Sequence, residues 1–428
     1  MNNGDAFFDN LPKDWTITKI GAVFDIKQGK SLSSRKQTGI YLKPFLRTSN
    51  VFWGRLDLSH LDEMDFTDDE CKALTLEHGD LLVCEGGDIG RTAIWKNEKT
   101  ECYYQNHLHR LRVKDEKIEP LFIMYWMEVA LTQFGIYEGF GNKTTIPNLS
   151  SSRLKEFILP VPEKKEQQKI AAILSKIQQT IEIQESIIEK TRDLKKSTLH
   201  HVFTHGLHGE MLKETDIGPM PESWGLNRIN NLVSETTLTD PSKTPDFKIR
   251  YIDVSSVSNT RYVVETYTRL LGKDAPSRAR KVVKEGDVIV ATVRPTLRRI
   301  AYITPDFNNE ICSTAFCVLR AKKDVLDHKY LFYAIQRSEF FCGLEKIQQG
   351  ASYPAVTDTD VKDQWIPLPS VDEQSEIACC FQIVDQKIEH HTAKKSTLQD
   401  LFKIMLNKLM TGEIRVKDLE MERINFTV

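Results

Sequence analysis

Two long stretches of the chain, at 163–205 and 370–411, contain no proline or glycine. Within both stretches, apolar side chains recur every three or four residues, which is the spacing that places them on one face of an α-helix. Proline precedes each stretch and glycine follows it, so helix-breaking residues mark the ends. The pattern predicts two long helices, each spanning about 60 Å at 1.5 Å per residue.

The apolar face of the second predicted helix follows a seven-residue repeat. Ile377, Val384, Leu398 and Met405 are separated from one another by seven or fourteen residues. A helix of this length cannot bury such a face by folding on itself. Because the chain contains two helices of this kind, we expect each to pack against the other.

The two helices belong to an internal repeat that covers most of the chain. The sequence L-P-K-D-W at 11–15 returns as M-P-E-S-W at 220–224, and the proline-containing run at 154–162 returns at 361–369. Both copies of that run continue into E-Q-x-x-I-A and then into a long helix. The order of the matching motifs is the same in both copies, which indicates a tandem duplication of a unit of roughly 200 residues.

The first part of each repeat contains short apolar runs rich in β-branched and aromatic residues, followed by a helical pattern. These runs predict mixed α/β modules over 11–162 and 220–369. A glycine-containing linker at 206–219 and a tail at 412–428 complete the chain. We assign the fold to the α+β class, as a tandem duplication of a mixed α/β module plus a long helix.

Composition excludes several classes of protein. The 428 residues include no apolar run long enough to span a membrane and no export signal at the start. None of the eight cysteines forms a C-x-x-C pair, so reduced cysteines in a cytoplasmic protein are expected. The formal net charge is −2, which taken alone argues against a nucleic-acid partner.

No arrangement of residues typical of catalysis is evident. The G-K-S sequence at 29–31 resembles the end of a phosphate-binding loop, but Phe24 stands where the first glycine is required. The glycine-rich run at 86–90 is read as a tight turn, and the histidines at 200–208 as a basic helix end. We therefore predict no catalytic residue, no metal site and no cofactor in this chain.

Positive charge is concentrated in one part of the second module. Residues 269–299 contain nine lysines and arginines against three acidic residues. Arginine and lysine neutralise DNA phosphates, and arginine and asparagine also pair with bases in the major groove. The candidate DNA-binding residues are Lys27, Lys30, Arg35, Lys36, Arg47, Asn50, Arg91, Lys143, Lys243, Arg278, Arg280, Lys281, Arg294, Arg298 and Arg299.

The duplicated motifs together resemble the specificity subunit of type I restriction–modification systems. The L-P-x-x-W opening, the G-D-[LV]-[LI]-V strand and the proline-containing exit into E-Q-x-x-I-A carry the resemblance. Each motif is short, but their repeated order is specific and covers about 11–415. In this family the modules are target recognition domains that read DNA.

The resemblance implies a mechanism and a set of partners. Each target recognition domain would read one half of a bipartite, asymmetric site in double-stranded DNA. The two long helices would pack as an antiparallel coiled coil that sets the spacing of the half-sites. Two methyltransferase subunits and the restriction/translocase subunits would bind to this protein, and S-adenosylmethionine, ATP and Mg would be used by those partners.

Two other classes of function remain as alternatives. The modules and helices could form a scaffold that binds only proteins, and a gel shift in the presence of the methyltransferase would discriminate between the two. A standalone nuclease or methyltransferase would need an active-site constellation that the sequence does not contain. The DNA sequence recognised, the spacer length and the residues that contact bases do not follow from the sequence.

Overall fold

A computed structural model describes residues 8, 11–31, 39–135, 149–350 and 353–417. Its internal contacts divide the chain into two compact units, which do not follow the linear order of the predicted segments. Unit 1 consists of Met1–Gln184 with Lys394–Val428, and unit 2 of Glu185–Ala393. Each unit therefore contains one of the two predicted α/β modules and about half of each long helix.

The module of unit 1 is built from short strands and four short helices within the described residues. In chain order these elements are β1 (Thr16–Lys19), α1 (Ile20–Val23), β2 (Phe24–Gln28), β3 (Leu42–Leu46), β4 (Val51–Phe52), β5 (Arg55–Leu56), β6 (Asp62–Asp65), α2 (Asp68–Leu74), β7 (Leu81–Cys84), β8 (Thr92–Ile94), β9 (Tyr103–Tyr104), β10 (Leu108–Val113), α3 (Pro120–Thr132), α4 (Ser151–Lys155) and β11 (Ile158–Val161). The first long helix, α5, follows at Lys164–His205.

The module of unit 2 has a similar but not identical order, and its first strand lies within the predicted linker at 206–219. Its elements are β12 (Leu212–Lys213), β13 (Met220–Pro221), β14 (Gly225–Arg228), α6 (Ile229–Leu232), β15 (Val233–Ser234), β16 (Lys248–Ile252), β17 (Thr268–Leu271), β18 (Ala279–Val282), β19 (Val288–Ala291), β20 (Ile300–Tyr302), β21 (Ile311–Ser313), β22 (Phe316–Ala321), α7 (His328–Ala334), α8 (Ser338–Ile347), α9 (Asp358–Lys362) and β23 (Trp365–Leu368). The second long helix, α10, runs over Val371–Met410.

The sheets of the two modules have matching topology. In unit 1 the order β2-β10-β7-β8 forms an antiparallel sheet, and β6-β3-β9 forms a second sheet in which β3 and β9 are parallel. In unit 2 the order β15-β22-β19-β20 repeats the first sheet, and β17-β16-β21-β18 repeats the second with one added strand. The two copies of the sequence repeat therefore share the same strand pairing. Loops that join equivalent strands lie at equivalent places in the two modules.

Each module closes where its first strand pairs with its last. β1 pairs antiparallel with β11, and β14 pairs antiparallel with β23. The last strand of each module leads directly into a long helix. The beginning of that helix therefore lies close to the first strand of the module. None of the helices in the described part of the chain is both long and apolar enough to cross a membrane.

The core of unit 1 is centred on α3, which is buried on nearly every face. Phe122, Tyr125 and Trp126 are fully buried there, together with Ile170 and Leu174 from the first turns of α5. The last turns of α10 complete the same cluster with Leu406, Leu409 and Met410. A helix that is apolar all round needs such a cover on several sides.

Unit 2 has the corresponding core. Leu199, Val202 and Phe203 near the end of α5 lie in one apolar cluster with Ile377 and Phe381 near the start of α10. The rings of Phe203 and Tyr330 are 5.5 Å apart. In each unit, the apolar face of the long helices is thus covered partly by the module.

A buried glutamine fixes the start of each long helix to its module. The amide oxygen of Gln167 accepts a hydrogen bond from the backbone of Glu119, and its nitrogen donates to the carbonyls of Lys117 and Pro162, at 2.8–3.0 Å. In unit 2, Gln374 makes the equivalent three bonds to Asp327, Val325 and Pro369. The E-Q pair of the repeated motif is therefore a structural junction.

The glutamate that precedes each of these glutamines holds the module's first tryptophan. The indole of Trp15 donates to the carboxylate of Glu166 at 3.3 Å, and Arg415 binds the same carboxylate through two bonds of 2.8 Å. The indole of Trp224 donates to Glu373 at 2.9 Å. Because both carboxylates are buried, these bonds are needed to satisfy them.

We predict that Gln167→Ala lowers the free energy of unfolding of unit 1 by about 2–4 kcal/mol, because three backbone groups lose the partner that this buried side chain provides. Hydrogen exchange measured on unit 1 peptides in increasing urea tests this. Gln168→Ala, at the exposed neighbouring position, is the matched control and should leave exchange unchanged. Equal stability of the two variants would contradict the structural role of Gln167.

Candidate nucleic-acid interface

Two of the six described non-glycine residues with positive φ lie in one loop of unit 2. This arginine loop, residues 292–299, joins the antiparallel strands β19 and β20. Arg294 and Arg298 flank a short 3-10 turn, and both adopt the left-handed conformation with φ of 50°. An L-residue other than glycine costs roughly 1–2 kcal/mol in that conformation.

The equivalent hairpin of unit 1 uses glycine where positive φ is needed. The loop between β7 and β8 places Gly87 at φ 74° and Gly90 at φ 80°. The same architecture is thus built with glycine in unit 1 and at a conformational cost with arginine in unit 2. Non-glycine residues held in left-handed backbone cluster at functional sites, so the arginine loop is the strongest candidate for an interface in the described residues.

A second segment holds the arginine loop in place. The amide of Arg294 donates to the carbonyl of Pro354 at 2.7 Å, and Val293 forms an isolated bridge with Ala355. The Arg294 guanidinium lies 4.8 Å from the ring centroid of Tyr353, which is 70% exposed. An exposed cation stacked on an exposed aromatic ring can contact both a phosphate and a base.

The two arginines that end the loop differ in their surroundings. Arg298 is half-buried, and its guanidinium packs over the ring of Phe341 at 5.3 Å without an ion pair among the described residues. Arg299 instead donates to the backbone carbonyls of Val254 and Val257, at 3.1 and 2.5 Å. Arg299 therefore fixes a neighbouring turn, and Arg298 is the one that presents charge.

Three other predicted residues of unit 2 lie at the edge of the second sheet. Lys243 and Arg278 are exposed. Arg280 is 3.4 Å from Asp240 and also donates to the carbonyl of Ala279. Hydrogen bonding from Ser242, with the nearby charge of Arg280, lowers the pKa of the Asp240 carboxyl. Lys243 and Arg278 are the cations of this group left open to a ligand.

Lys281 has a different position from the one expected of a DNA-binding residue. Its side chain is buried, and its ammonium group donates to the carbonyl of Phe316 and to the carboxylate of Asp358. Those contacts join β18 to α9 across the module. A buried lysine that is satisfied in this way holds the fold together, which favours a structural role over a phosphate contact.

In unit 1, Asn50 and Arg47 are occupied by their own turn. Asn50 is buried and donates through its amide to the carbonyls of Asp57 and His60, while its oxygen accepts from the amide of Arg47. The guanidinium of Arg47 bonds to Asp62 at 2.6 Å. The expected pairing of Asn50 with adenine is therefore not open to it, and Arg47 keeps a partly exposed charge.

Arg91 and Lys30 also make internal contacts in unit 1. Arg91 donates to the carbonyl of Thr48 at 3.0 Å and packs over the ring of Phe52 at 5.4 Å. The ammonium group of Lys30 donates to the carbonyl of Asp65 and to the carboxylate of Glu70. Both cations are mostly buried, which favours a structural role over a phosphate contact.

Lys27 is the remaining predicted cation of unit 1 within the described residues. It lies half-buried on β2, in register with Arg110 on β10. Arg35, Lys36 and Lys143 lie outside the described residues. The DNA-binding assignment of all these residues stays a prediction.

Sequence reasoning did not identify Tyr353, which the structure places beside Arg294. A lone aromatic residue in the polar run Q-G-A-S-Y-P was the available signal, but nothing in the sequence connects it to a loop sixty residues earlier. The histidines at 200–208 do not converge: His201 and His205 stack on one helix with ring centroids 4.5 Å apart. No group of three metal-ligating side chains was found among the described residues.

Comparison with known proteins gives a consistent family. The sequence profile of the type I restriction modification DNA specificity domain matches residues 12–191 and 222–400, which is most of the chain and both copies of the repeat. The chain is 24% identical over 421 residues to the type I restriction enzyme MjaVIII specificity subunit of Methanocaldococcus jannaschii, covering 96% of this chain and 95% of that protein.

Two further comparisons extend this result. The chain is 22% identical over 357 residues to the type I restriction enzyme EcoBI specificity subunit of Escherichia coli, covering 78% and 73% of the two chains. The fold matches the crystal structure of a type I restriction–modification system S subunit from M. genitalium with a TM-score of 0.60, at 16% identity, covering 94% and 96%. At that identity the structural match concerns the fold alone.

The two kinds of arginine in the loop predict opposite effects on stability. Arg294→Gly should leave the free energy of unfolding of unit 2 unchanged or raise it by up to about 1 kcal/mol, because glycine adopts the left-handed conformation without strain. Arg299→Ala should lower it by about 1–3 kcal/mol, because the carbonyls of Val254 and Val257 lose a charged donor.

Urea denaturation followed by hydrogen exchange of unit 2 peptides measures both variants. Asn309→Gly, at another left-handed position with φ of 63°, is the control for relief of strain alone. A destabilised Arg294→Gly variant would mean that the arginine side chain supports the fold.

Proposed function

The chain belongs to the family of type I restriction–modification DNA specificity proteins, and we propose that it is the subunit that selects the DNA sequence on which such a complex acts. The arginine loop is the observation that links this proposed role to particular residues. It contains two arginines with left-handed backbone and the exposed pair of Arg294 and Tyr353. Arginine in a protruding hairpin loop suits phosphate contact and guanine readout.

Each module would read one half of a bipartite site. The modules share strand order but differ in the loops that the strands carry, as the β7–β8 and β19–β20 hairpins illustrate. Two modules with different loops would read different sequences, so the complete site would be asymmetric. Half-sites read from one face of the duplex would lie about one helical turn apart, roughly 34–36 Å.

The long helices would form an antiparallel coiled coil that sets this distance. In unit 1 the first turns of α5 share a core with the last turns of α10, and in unit 2 the end of α5 shares a core with the start of α10. Contacts at opposite ends of the two helices are what an antiparallel pair would give, and this supports the proposal.

The chemistry would belong to other subunits of the complex. We assign methylation with S-adenosylmethionine to two methyltransferase subunits bound near the helices. We assign ATP- and Mg-dependent translocation and cleavage to restriction subunits. A protein of this kind would act on DNA in the cytoplasm. Membership of a DNA specificity family does not favour the alternative of a scaffold that binds only proteins.

Exchange of one module tests the modular assignment. Residues 11–162 would be replaced by the first module of another family member, and methylated sites would be mapped by sequencing with the methyltransferase present. We expect one half-site to change and the other, with the spacer, to stay the same. If both half-sites stay the same, the first module does not read DNA.

Arg294→Gly tests the arginine loop itself. In complex with the methyltransferase, this variant should bind the mapped site about 5- to 150-fold more weakly, which corresponds to the roughly 1–3 kcal/mol of one arginine contact to DNA. Lys284→Gln removes an exposed charge from the same basic segment outside the loop and serves as the matched control. Equal affinity of the two variants would exclude the loop from the DNA interface.

A further inference from the structure

Unit 2 contains a groove of about 590 Å³ between its module and the long helices. The module side is formed by residues 260–263, the end of the arginine loop and the helices α7 and α8. The helix side is formed by residues 192–199 of α5 and 382–392 of α10. All of these segments belong to unit 2, so the groove is a feature of one compact body.

The lining of the groove mixes apolar and polar surface and carries a net positive charge. Three carboxylates line it, from Asp193, Asp385 and Glu389. Hydroxyl groups from threonine, serine and tyrosine stand among the charges, including those of Thr260 and Tyr262. The cations of the lining are Arg192, Lys195, Lys196, Arg261, Arg298 and Lys329.

Three of these six cations form ion pairs or hydrogen bonds with other residues of unit 2. Lys195 forms an ion pair of 2.7 Å with Asp385, which also accepts a hydrogen bond from Tyr333. Lys329 donates to the side-chain amide oxygen of Gln382 on α10 at 2.6 Å. Arg261 is 3.5 Å from the carboxylate of Glu265. The bonds of Tyr333 and Lys329 tie the module to α10, and the two ion pairs neutralise part of the charge.

The other half are not paired with an acid. Arg192 and Lys196 are exposed, and the structure gives neither of them an ion pair with any described residue. They are four residues apart on α5, so they project from one face of the helix. Arg298 adds a third such group, stacked on an aromatic ring and without a carboxylate partner in the described chain. Three unpaired cations beside hydroxyl groups are a typical setting for phosphate.

Unit 1 has an acidic residue at a position where unit 2 has a neutral one. Tyr125 bonds to Gln178 of α5 at 3.0 Å, as Tyr333 bonds to Asp385 of α10. Three residues after Tyr125 stands Glu128, where burial raises the pKa of the carboxyl to about 7. The matching position in unit 2 is a neutral glutamine that lines the groove. The groove of unit 2 therefore lacks one carboxyl group that unit 1 has at the matching position.

We propose that this groove binds the sugar–phosphate backbone of the DNA strand next to the half-site read by the second module. Arg298 belongs both to the arginine loop and to the groove, so the two surfaces are continuous. The groove is too small for a duplex, so the proposed ligand is the backbone of one strand, passing from the loop toward α5. This inference rests on the proposed function and adds to it a contact outside the recognition loops, made by Arg192 and Lys196.

A double variant, Arg192→Gln with Lys196→Gln, tests the groove in the assembled complex with the methyltransferase. Equilibrium binding to a duplex carrying the mapped site, and to an unrelated duplex, would be measured between 50 and 200 mM salt. Loss of two phosphate contacts should reduce the slope of log affinity against log salt by about 1.8. The ratio of affinities for the two duplexes should stay the same, because phosphate contacts do not depend on sequence.

The matched control is Lys190→Gln with Lys387→Gln, which removes two exposed lysines from the same two helices outside the groove. The control should keep the salt slope of the unaltered protein. A groove variant with that same slope would overturn the inference. Loss of methyltransferase binding at an unchanged slope would also overturn it, and would identify an acidic protein segment as the occupant.

Failure of the proposed function gives a different result. The unaltered complex would then bind the two duplexes with equal affinity, whatever the groove variant does. The salt slope on the unrelated duplex would still decide whether Arg192 and Lys196 contact phosphates.

Discussion

Everything in each unit depends on how the long helix is joined to its module. Gln167 and Gln374 each bond to three backbone groups, two of them in the loop before a core helix and one at the end of the module's last strand. The two glutamine side chains are buried, so their loss would leave backbone groups at the junction without a partner. With the junction fixed, the module's strands and loops take a defined position relative to the helix.

A rigid junction allows the loops to vary without disturbing the scaffold. The hairpin of unit 1 turns on Gly87 and Gly90, and the hairpin of unit 2 turns on Arg294 and Arg298 in the same left-handed conformation. The strain of the two arginines is local and is held by strand pairing on one side and by the segment around Pro354 on the other. One architecture can therefore carry loops of quite different chemistry, which is what a specificity subunit requires.

Sequence reasoning predicted the elements far better than it predicted the contacts of individual side chains. The long helices could be predicted because proline and glycine mark their ends. The duplication could be predicted because the order of the repeated motifs is visible in the sequence without knowledge of the fold. Among the candidate cations, however, Lys281 and Arg299 bond to backbone carbonyls inside the module. A sequence cannot distinguish such a cation from an exposed one, since both lie in the same basic segment.

The net charge of the chain likewise does not show which cations are exposed, and the folded structure does. A net charge of −2 describes an average, and the local excess at 269–299 is itself partly neutralised by the carboxylates of Asp358 and Asp240. The positive charge that faces a groove comes instead from residues far apart in sequence, Arg192 and Lys196 on α5 and Arg298 on the arginine loop. Electrostatic attraction to DNA depends on such spatial clustering. Folding, more than composition, therefore decides where this chain can hold a phosphate.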